Sequence, residues 1–328
     1  MEQRHLGRTG LRVSRIGLGT LTWGRDTDEH DAADQLKAFW DAGGTLVDTA
    51  DVYGGGEAEY MLGQLMERLV PRRDLVISTK AGSVPDPDRR TDGSRGHLLA
   101  ALDASLARLG TDHVDLWQLH AFDPYTPLEE SLQALDIAVS SGRARYVGVS
   151  NFCGWQLAKA GTWQLGATGA ARTRLAATQM EYSLLQRGVE REVLPAALDL
   201  GIGLLPSSPL GRGVLTGKYR QGTPTDSRGG SETMAPFVEP YLDDAASRIV
   251  DAVATAADGL ATTPLQVALA WVRDRPGVTA PIVGARNARQ LTAALSVESL
   301  SLPDEICRAL DDVSAPVHRY PDQDWSTL

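Results

Sequence analysis

A chain of 328 residues has room for two average domains or one large barrel, and 42% hydrophobic against 23% charged residues is the balance of a protein that buries a sizeable core. A net charge of -10 with no basic run excludes nucleic acid as a natural partner, because phosphate binding draws on clustered Lys and Arg. No stretch approaches the roughly 20 apolar residues of a membrane span, and MEQRHLGRTGLRVSR lacks the apolar core of a secretion signal, so a cytoplasmic protein is expected.

In chain order, HLGRTGLRVSRIGLG sets a Thr-Gly turn between two strand-like runs, which predicts a hairpin capping the floor of a barrel. Short apolar runs then recur, predicting strands at 15–20, 45–50, 75–80, 114–120, 146–151, 176–182, 203–209 and 279–284. Helical periodicity fills the intervals, as at 28–42, 56–69, 96–109 and 128–140. The last of these carries Leu128, Leu132, Leu135 and Val139 as one apolar stripe. Continuous apolar strands alternating with amphipathic helices mean parallel βαβ units, and eight of them predict a (β/α)8 TIM barrel as one unit over 1–328. An open doubly wound sheet is the alternative. It would usually advertise GxGxxG after its first strand, which is missing here, and the glycines at 54–56 and GRGVLTGKY near 211 have the wrong spacing for phosphate loops.

The Gly-, Pro- and Ser-rich stretch 217–240 exceeds the usual connection length and is expected to form a flap over a cofactor or substrate, with the tail 314–328 near the same mouth. Two cysteines, Cys153 and Cys307, are too few for a disulfide framework or a CxxC metal site. Both read as reduced, small and mostly buried.

Polar residues at the C-terminal ends of barrel strands point into the active-site mouth, which selects Asp48 with Tyr53 just after it, Lys80, His120, Ser150, Asn151 and Gln179. Lys80 is one of only four lysines (Lys37, Lys80, Lys159, Lys218) among 32 Lys and Arg residues. A lysine closing an apolar strand must reach solvent or pair with a buried carboxylate, and Asp48 is its natural mate. Tyr53 would then lie beside a cation. Lowering a phenol from about 10 to about 7–8 takes roughly 3–4 kcal/mol, which one close charge in a dry site can supply, so Tyr53 is expected to be a general acid of depressed pKa. A neutral His120 could orient a substrate carbonyl. The six histidines show no HxH or HExxH spacing, so no metal site is expected.

These residues sit in stretches that resemble the aldo-keto reductase family: LGRTGLRVSRIGLGT, DAGGTLVDTADVYGGGEAE, VISTK, DHVDLWQLHAFDP, GRARYVGVSNF, ATQMEYSLL, SPLGRGVLTGKY and PIVGARNARQL. All occur in this order over nearly the whole chain, and they look most like the bacterial branch that also resembles the β subunits of voltage-gated potassium channels. The resemblance implies a tetrad of Asp48, Tyr53, Lys80 and His120, the same set the strand ends supply, with hydride transfer from NADPH to a carbonyl and no metal. It implies that Ser150, Asn151 and Gln179 hold the nicotinamide carboxamide and that Ser207, Pro209, Leu210, Gly211 and Gly213 form the turn beside the pyrophosphate. Lys218 would contact phosphate, and Gly284, Arg286 and Gln290 would take the adenosine end, with Arg286 on the 2'-phosphate.

Three departures stand out. Ser207 replaces the aromatic that usually stacks on the nicotinamide, Ala293 and Ala294 replace groups that hold adenine, and Ala121 after His120 replaces a large residue, which is expected to widen the pocket for a bulky ketone. Trp23 matches an aromatic wall of the substrate pocket, with Phe122 and Tyr125 as further candidates, and Trp325 is expected over the mouth. The expected partner is a small carbonyl compound, and a homo-oligomer is neither required nor excluded by the sequence. Two rival readings are an NADP(H)-binding sensor subunit with slow turnover and a Schiff-base enzyme using Lys80. Asp48 speaks against the second by keeping that lysine charged.

Overall fold

The computed structural model describes residues 1–166, 172–225, 227–232 and 234–316. The chain opens with an antiparallel pair, β1 (Gln3–His5) and β2 (Arg12–Ser14), in register at Arg4 and Val13. Leu6 and Val13 from this hairpin are fully buried in one cluster with Leu46, Leu116 and Ala176 of the strands above and with Ala280. The approach is close. Gly7 has a left-handed backbone (φ 56°), and a Cβ there would stand 2.5 Å from the Gly201 carbonyl oxygen and 2.9 Å from that of Ala176, so only glycine lets the hairpin seat on the floor.

Eight parallel strands come next, in the order predicted from the apolar runs: β3 (Gly17–Gly19), β4 (Leu46–Asp48), β5 (Val76–Ala81), β6 (Val114–Leu119), β7 (Ala144–Ser150), β8 (Leu175–Glu181), β9 (Gly203–Ser207) and β10 (Ile282–Gly284). From β3 to β9 each pairs with the next, and β10 pairs with β3 at Val283 and Leu18. The seam between β9 and β10 is drawn together just before β10, where Leu204 N donates to Gly277 O (3.1 Å) and Thr279 N to Leu204 O (2.8 Å). The result is a nearly closed (β/α)8 barrel.

Around it run α1 (Glu29–Asp41), α2 (Glu57–Arg68), α3 (Arg95–Leu109), α4 (Leu128–Ser140), α5 (Gly154–Leu165) and α6 (Val193–Leu200). Asp28 caps α1 by accepting from Asp31 N at 2.9 Å. In α4 the predicted stripe is real: Leu128, Leu132 and Leu135 are buried, each such side chain contributing about 1.5–3 kcal/mol by leaving water, and Val139 is half-buried. The crossover from β9 to β10 is longer than the others. It carries the one-turn helix α7 (Ala235–Val238), then α8 (Asp244–Gly259) and α9 (Pro264–Arg273), with Thr263 and Gln266 forming a capping box at the start of α9. Neither α8 nor α9 is among the helices predicted from periodicity. After β10 come α10 (Ala288–Leu295) and α11 (Asp304–Val313). Of the tail, residues 317–328, including Trp325, lie outside the described residues. Among the described residues no helix is long and apolar enough to cross a membrane.

Candidate active site

β4 and β5 are neighbours in the barrel, so the last residue of β4 and the fifth of β5 are brought side by side at its C-terminal end. Lys80 is fully buried, and its Nζ donates to Asp48 Oδ2 at 2.6 Å and to the Thr49 carbonyl at 2.8 Å. The other carboxylate oxygen, Asp48 Oδ1, accepts from Ser78 Oγ (2.9 Å) and Gln179 Nε2 (3.0 Å). Burial pushes the ammonium pKa down, but Asp48 and Tyr53 together outweigh it and hold the group above the ordinary lysine range. Lys80 therefore stays a cation.

Tyr53 opens a short turn after β4 in which Gly54 (φ 61°) and Gly55 (φ 68°) are left-handed, letting the chain reverse directly behind the ring. Lys80 Nζ lies 5.2 Å from the Tyr53 ring centre, and the His120 ring stands edge-on to it with centroids 5.9 Å apart. The expectation of a depressed phenol pKa is corrected here. Burial raises the Tyr53 phenol above its ordinary value, and Lys80 only partly offsets this because the Asp48 charge acts on the same phenol in the opposite sense. Counting the cation without burial, the largest cause, and without its counterion gives the wrong sign. Tyr53 is consequently a protonated donor throughout the neutral range.

His120 follows β6, and its backbone carbonyl accepts from Asn151 Nδ2 at 3.0 Å, tying the ends of β6 and β7 together. Burial first, and the Lys80 charge second, push its imidazole down to about 3. It is neutral at physiological pH, with Nδ1 buried and unpartnered.

A cavity of about 530 Å³ opens beside this cluster. Asp48, Tyr53, Gln179 and Ser207 line one part of it, Pro209, Leu210, Gly213 and Lys218 another, and Gly284, Arg286, Gln290, Ala293 and Ala294 the part against α10. Ser150, Asn151 and Gly211 are not on its wall: Ser150 is 2% exposed, and the Asn151 amide is engaged with His120 O and Ser150 Oγ. Four non-glycine residues among those described have left-handed backbones, and three of them, Asn151, Ser208 and Arg212, follow β7 or β9 at this end of the barrel. Such strain persists only where surrounding structure enforces it, and it gathers at functional sites.

A family model described as the aldo/keto reductase family matches residues 15–315. The chain belongs to the aldo/keto reductase family. It is 39% identical to an uncharacterized oxidoreductase, YrpG, of Bacillus subtilis (strain 168), over 95% of this chain and 96% of that one. It is 37% identical, over 98% of both chains, to a protein named probable voltage-gated potassium channel subunit beta from Oryza sativa subsp. japonica. With versiconal hemiacetal acetate reductase of Aspergillus parasiticus it shares 31% identity over 98% and 99%. These side chains thus sit in an oxidoreductase of that family.

Two expectations about the aldo/keto reductase substrate pocket are corrected. Trp23 is fully buried with its indole N–H donated to Gln35 Oε1 (3.2 Å), so it has no surface to offer a substrate, and it is Leu21 that lines the cavity. Two residues of sequence separate a wall position from a core position here. Phe122 packs edge-on against Phe152 and Trp155 and, with Ala121, lines a separate small hollow under the β5 and β6 loops. The widening expected from Ala121 is therefore not in the main cavity, and the preference for a bulky ketone loses its basis. Tyr125 is 75% exposed and is not on that wall either.

Other wall residues were not foreseen. Arg228 and Arg289 line the cavity with Arg286, and Arg228 comes from the 217–240 segment, whose glycine-rich composition gave no period to place it. Burial first, and then the nearby Arg25 and Arg286, hold the Arg228 pKa below the usual guanidinium range, with Asp26 acting in the opposite sense. Arg212, also on the wall, is ion-paired to Glu181 (2.6 Å) and stacks on Phe237 of α7 at 3.9 Å, which fastens that segment to the end of β8.

Proposed function

We propose that the protein reduces an aldehyde or ketone to the alcohol with NADPH, Tyr53 giving the proton to the carbonyl oxygen. The observation that carries this reading is the buried Asp48–Lys80 pair at 2.6 Å beneath a protonated Tyr53, at one part of a cavity whose other part gathers arginines. Lys80 stabilises the phenolate left behind, Asp48 keeps Lys80 charged and in place, and neutral His120 orients the carbonyl by a hydrogen bond. NADPH supplies the hydride when bound.

The cavity suits that cofactor on its own evidence. Arg228, Arg286 and Arg289 bring like charges together at one place, which a phosphate would relieve, and a Cβ on Gly213 would stand 3.2 Å from Lys218 Nζ, filling a cradle that glycine leaves open. NADPH should therefore bind more tightly than NADH, by the roughly 1.5–3 kcal/mol of a charge-assisted hydrogen bond. Arg286→Ala should erase most of that preference, and Arg228→Ala should move it the same way. Fluorescence titrations with both cofactors check this, and equal affinities in the wild type defeat the assignment. Ser207 presents no ring face to a flat ligand, so Ser207→Trp should tighten NADPH several-fold, aromatic stacking being worth about 0.5–1.5 kcal/mol. An unchanged dissociation constant with the fold intact counts against the placement of the nicotinamide there.

A sensor with slow turnover is the second reading, favoured by the raised Tyr53 phenol and by the likeness to potassium channel β subunits. NADPH consumption with a panel of carbonyl compounds separates the two. Many turnovers per protein support the reductase, and one slow oxidation per bound cofactor supports the sensor.

A further inference from the structure

The loop that joins Asp48 to Tyr53 carries another carboxyl, Asp51, whose backbone N–H donates to the Lys80 carbonyl at 3.1 Å and so anchors it to the strand that bears the lysine. Its Oδ1 is buried and accepts no hydrogen bond. On α2, Glu59 is fully buried, its Oε2 paired with Arg108 of α3 at 2.6 Å and its Oε1 accepting from Thr79 Oγ1 of β5. Asp51 thus feels charge from three elements: Glu59 of α2 repels a negative charge, while Arg108 of α3 and Lys80 of β5 attract it. Tyr53, two residues on, feels the Asp51 charge in turn.

We propose that Asp51 is a positioning residue for proton transfer: the charge on its carboxyl, set among Glu59, Arg108 and Lys80, tunes how readily Tyr53 yields its proton, as a lesser influence beside burial, Lys80 and Asp48. The inference rests on the reading of Tyr53 as donor. In that step the proton passes from Tyr53 Oη to the carbonyl oxygen as the cofactor's hydride reaches the carbonyl carbon, and Asp51 neither gives nor takes a proton. Its influence is through the field. An ionised Asp51 disfavours the phenolate and makes Tyr53 a weaker acid, whereas a neutral Asp51 leaves it stronger.

Burial, followed by Glu59, raises the Asp51 carboxyl to about 7. Around it His120 is lowered to about 3, while Tyr53 and Lys80 are raised above their ordinary values, so none of these three changes charge in the neutral range. Reduction should therefore be faster on the acid side of neutrality, and it should slow as Asp51 ionises.

The test is the pH profile of kcat for 4-nitrobenzaldehyde at saturating NADPH, compared with that of Asp51→Asn. The wild type should lose about threefold in rate across neutral pH, and Asp51→Asn should hold the acid-limb rate throughout with KM unchanged. A step that persists in Asp51→Asn, or a loss that is uniform with pH, overturns the proposal. A second measurement needs neither turnover nor the variant: the ¹³Cζ signal of Tyr53, assigned by its disappearance in Tyr53→Phe, should show an inflection near pH 7 in the wild type. Its absence overturns the proposal. Failure of the wild type to reduce any carbonyl at any pH, with the inflection present, overturns instead the reductase reading.

Discussion

Replacing Tyr53 by phenylalanine is expected to lower carbonyl reduction by at least about 10²-fold while leaving NADPH affinity nearly unchanged, because it removes the proposed acid and keeps the ring. The ring stays, so its edge-on contact with His120 and its packing over Lys80 stay too. Of the groups gathered here, Lys80 is held by Asp48 and the Thr49 carbonyl, and His120 is lowered to about 3 and carries no extra proton to give. Tyr53 is the group that stays protonated and faces the cavity. Near wild-type turnover by Tyr53→Phe between about pH 6 and about pH 8 would pass the role to another residue or to water and remove the core of the mechanism.

Lys80→Met should abolish most activity and also weaken the fold. A methionine fills similar space but leaves Asp48, 2% exposed, without its cation, and breaking one side of a buried ion pair costs about 3–5 kcal/mol. The phenol, already raised by burial, loses the one neighbour that lowers it most and becomes a still weaker acid. Stability and catalysis can be separated. Adding Asp48→Asn to Lys80→Met removes the stranded charge, so thermal melts should recover much of the lost stability while turnover stays low. Recovery of turnover along with stability would mean that Lys80 serves the fold alone.

The barrel was legible in the sequence because its signal is local and repeated. Runs such as TLVDTA and VDLWQLH are apolar on both faces, the helices between them carry one stripe each, and the Thr-Gly turn of the hairpin needs no distant partner to be read. The strand-end rule also singled out Asp48, Lys80 and His120, since a polar group ending an apolar strand needs a reason to be there, and the structure sets them together with Tyr53. What the sequence could not fix was anything decided by which side chain a distant segment lays beside another. Trp23 and Leu21 lie two residues apart, and only the packing against Gln35 of α1 puts one in the core and leaves the other on the wall. Arg228 comes from a segment without a period and meets Arg286 only through the fold. The acidity of Tyr53 is misjudged from sequence for the same reason: a cation nearby in the chain's logic lowers a phenol, but its effect in place is a balance of burial, Lys80, Asp48 and Asp51, and that balance is a property of distances in three dimensions.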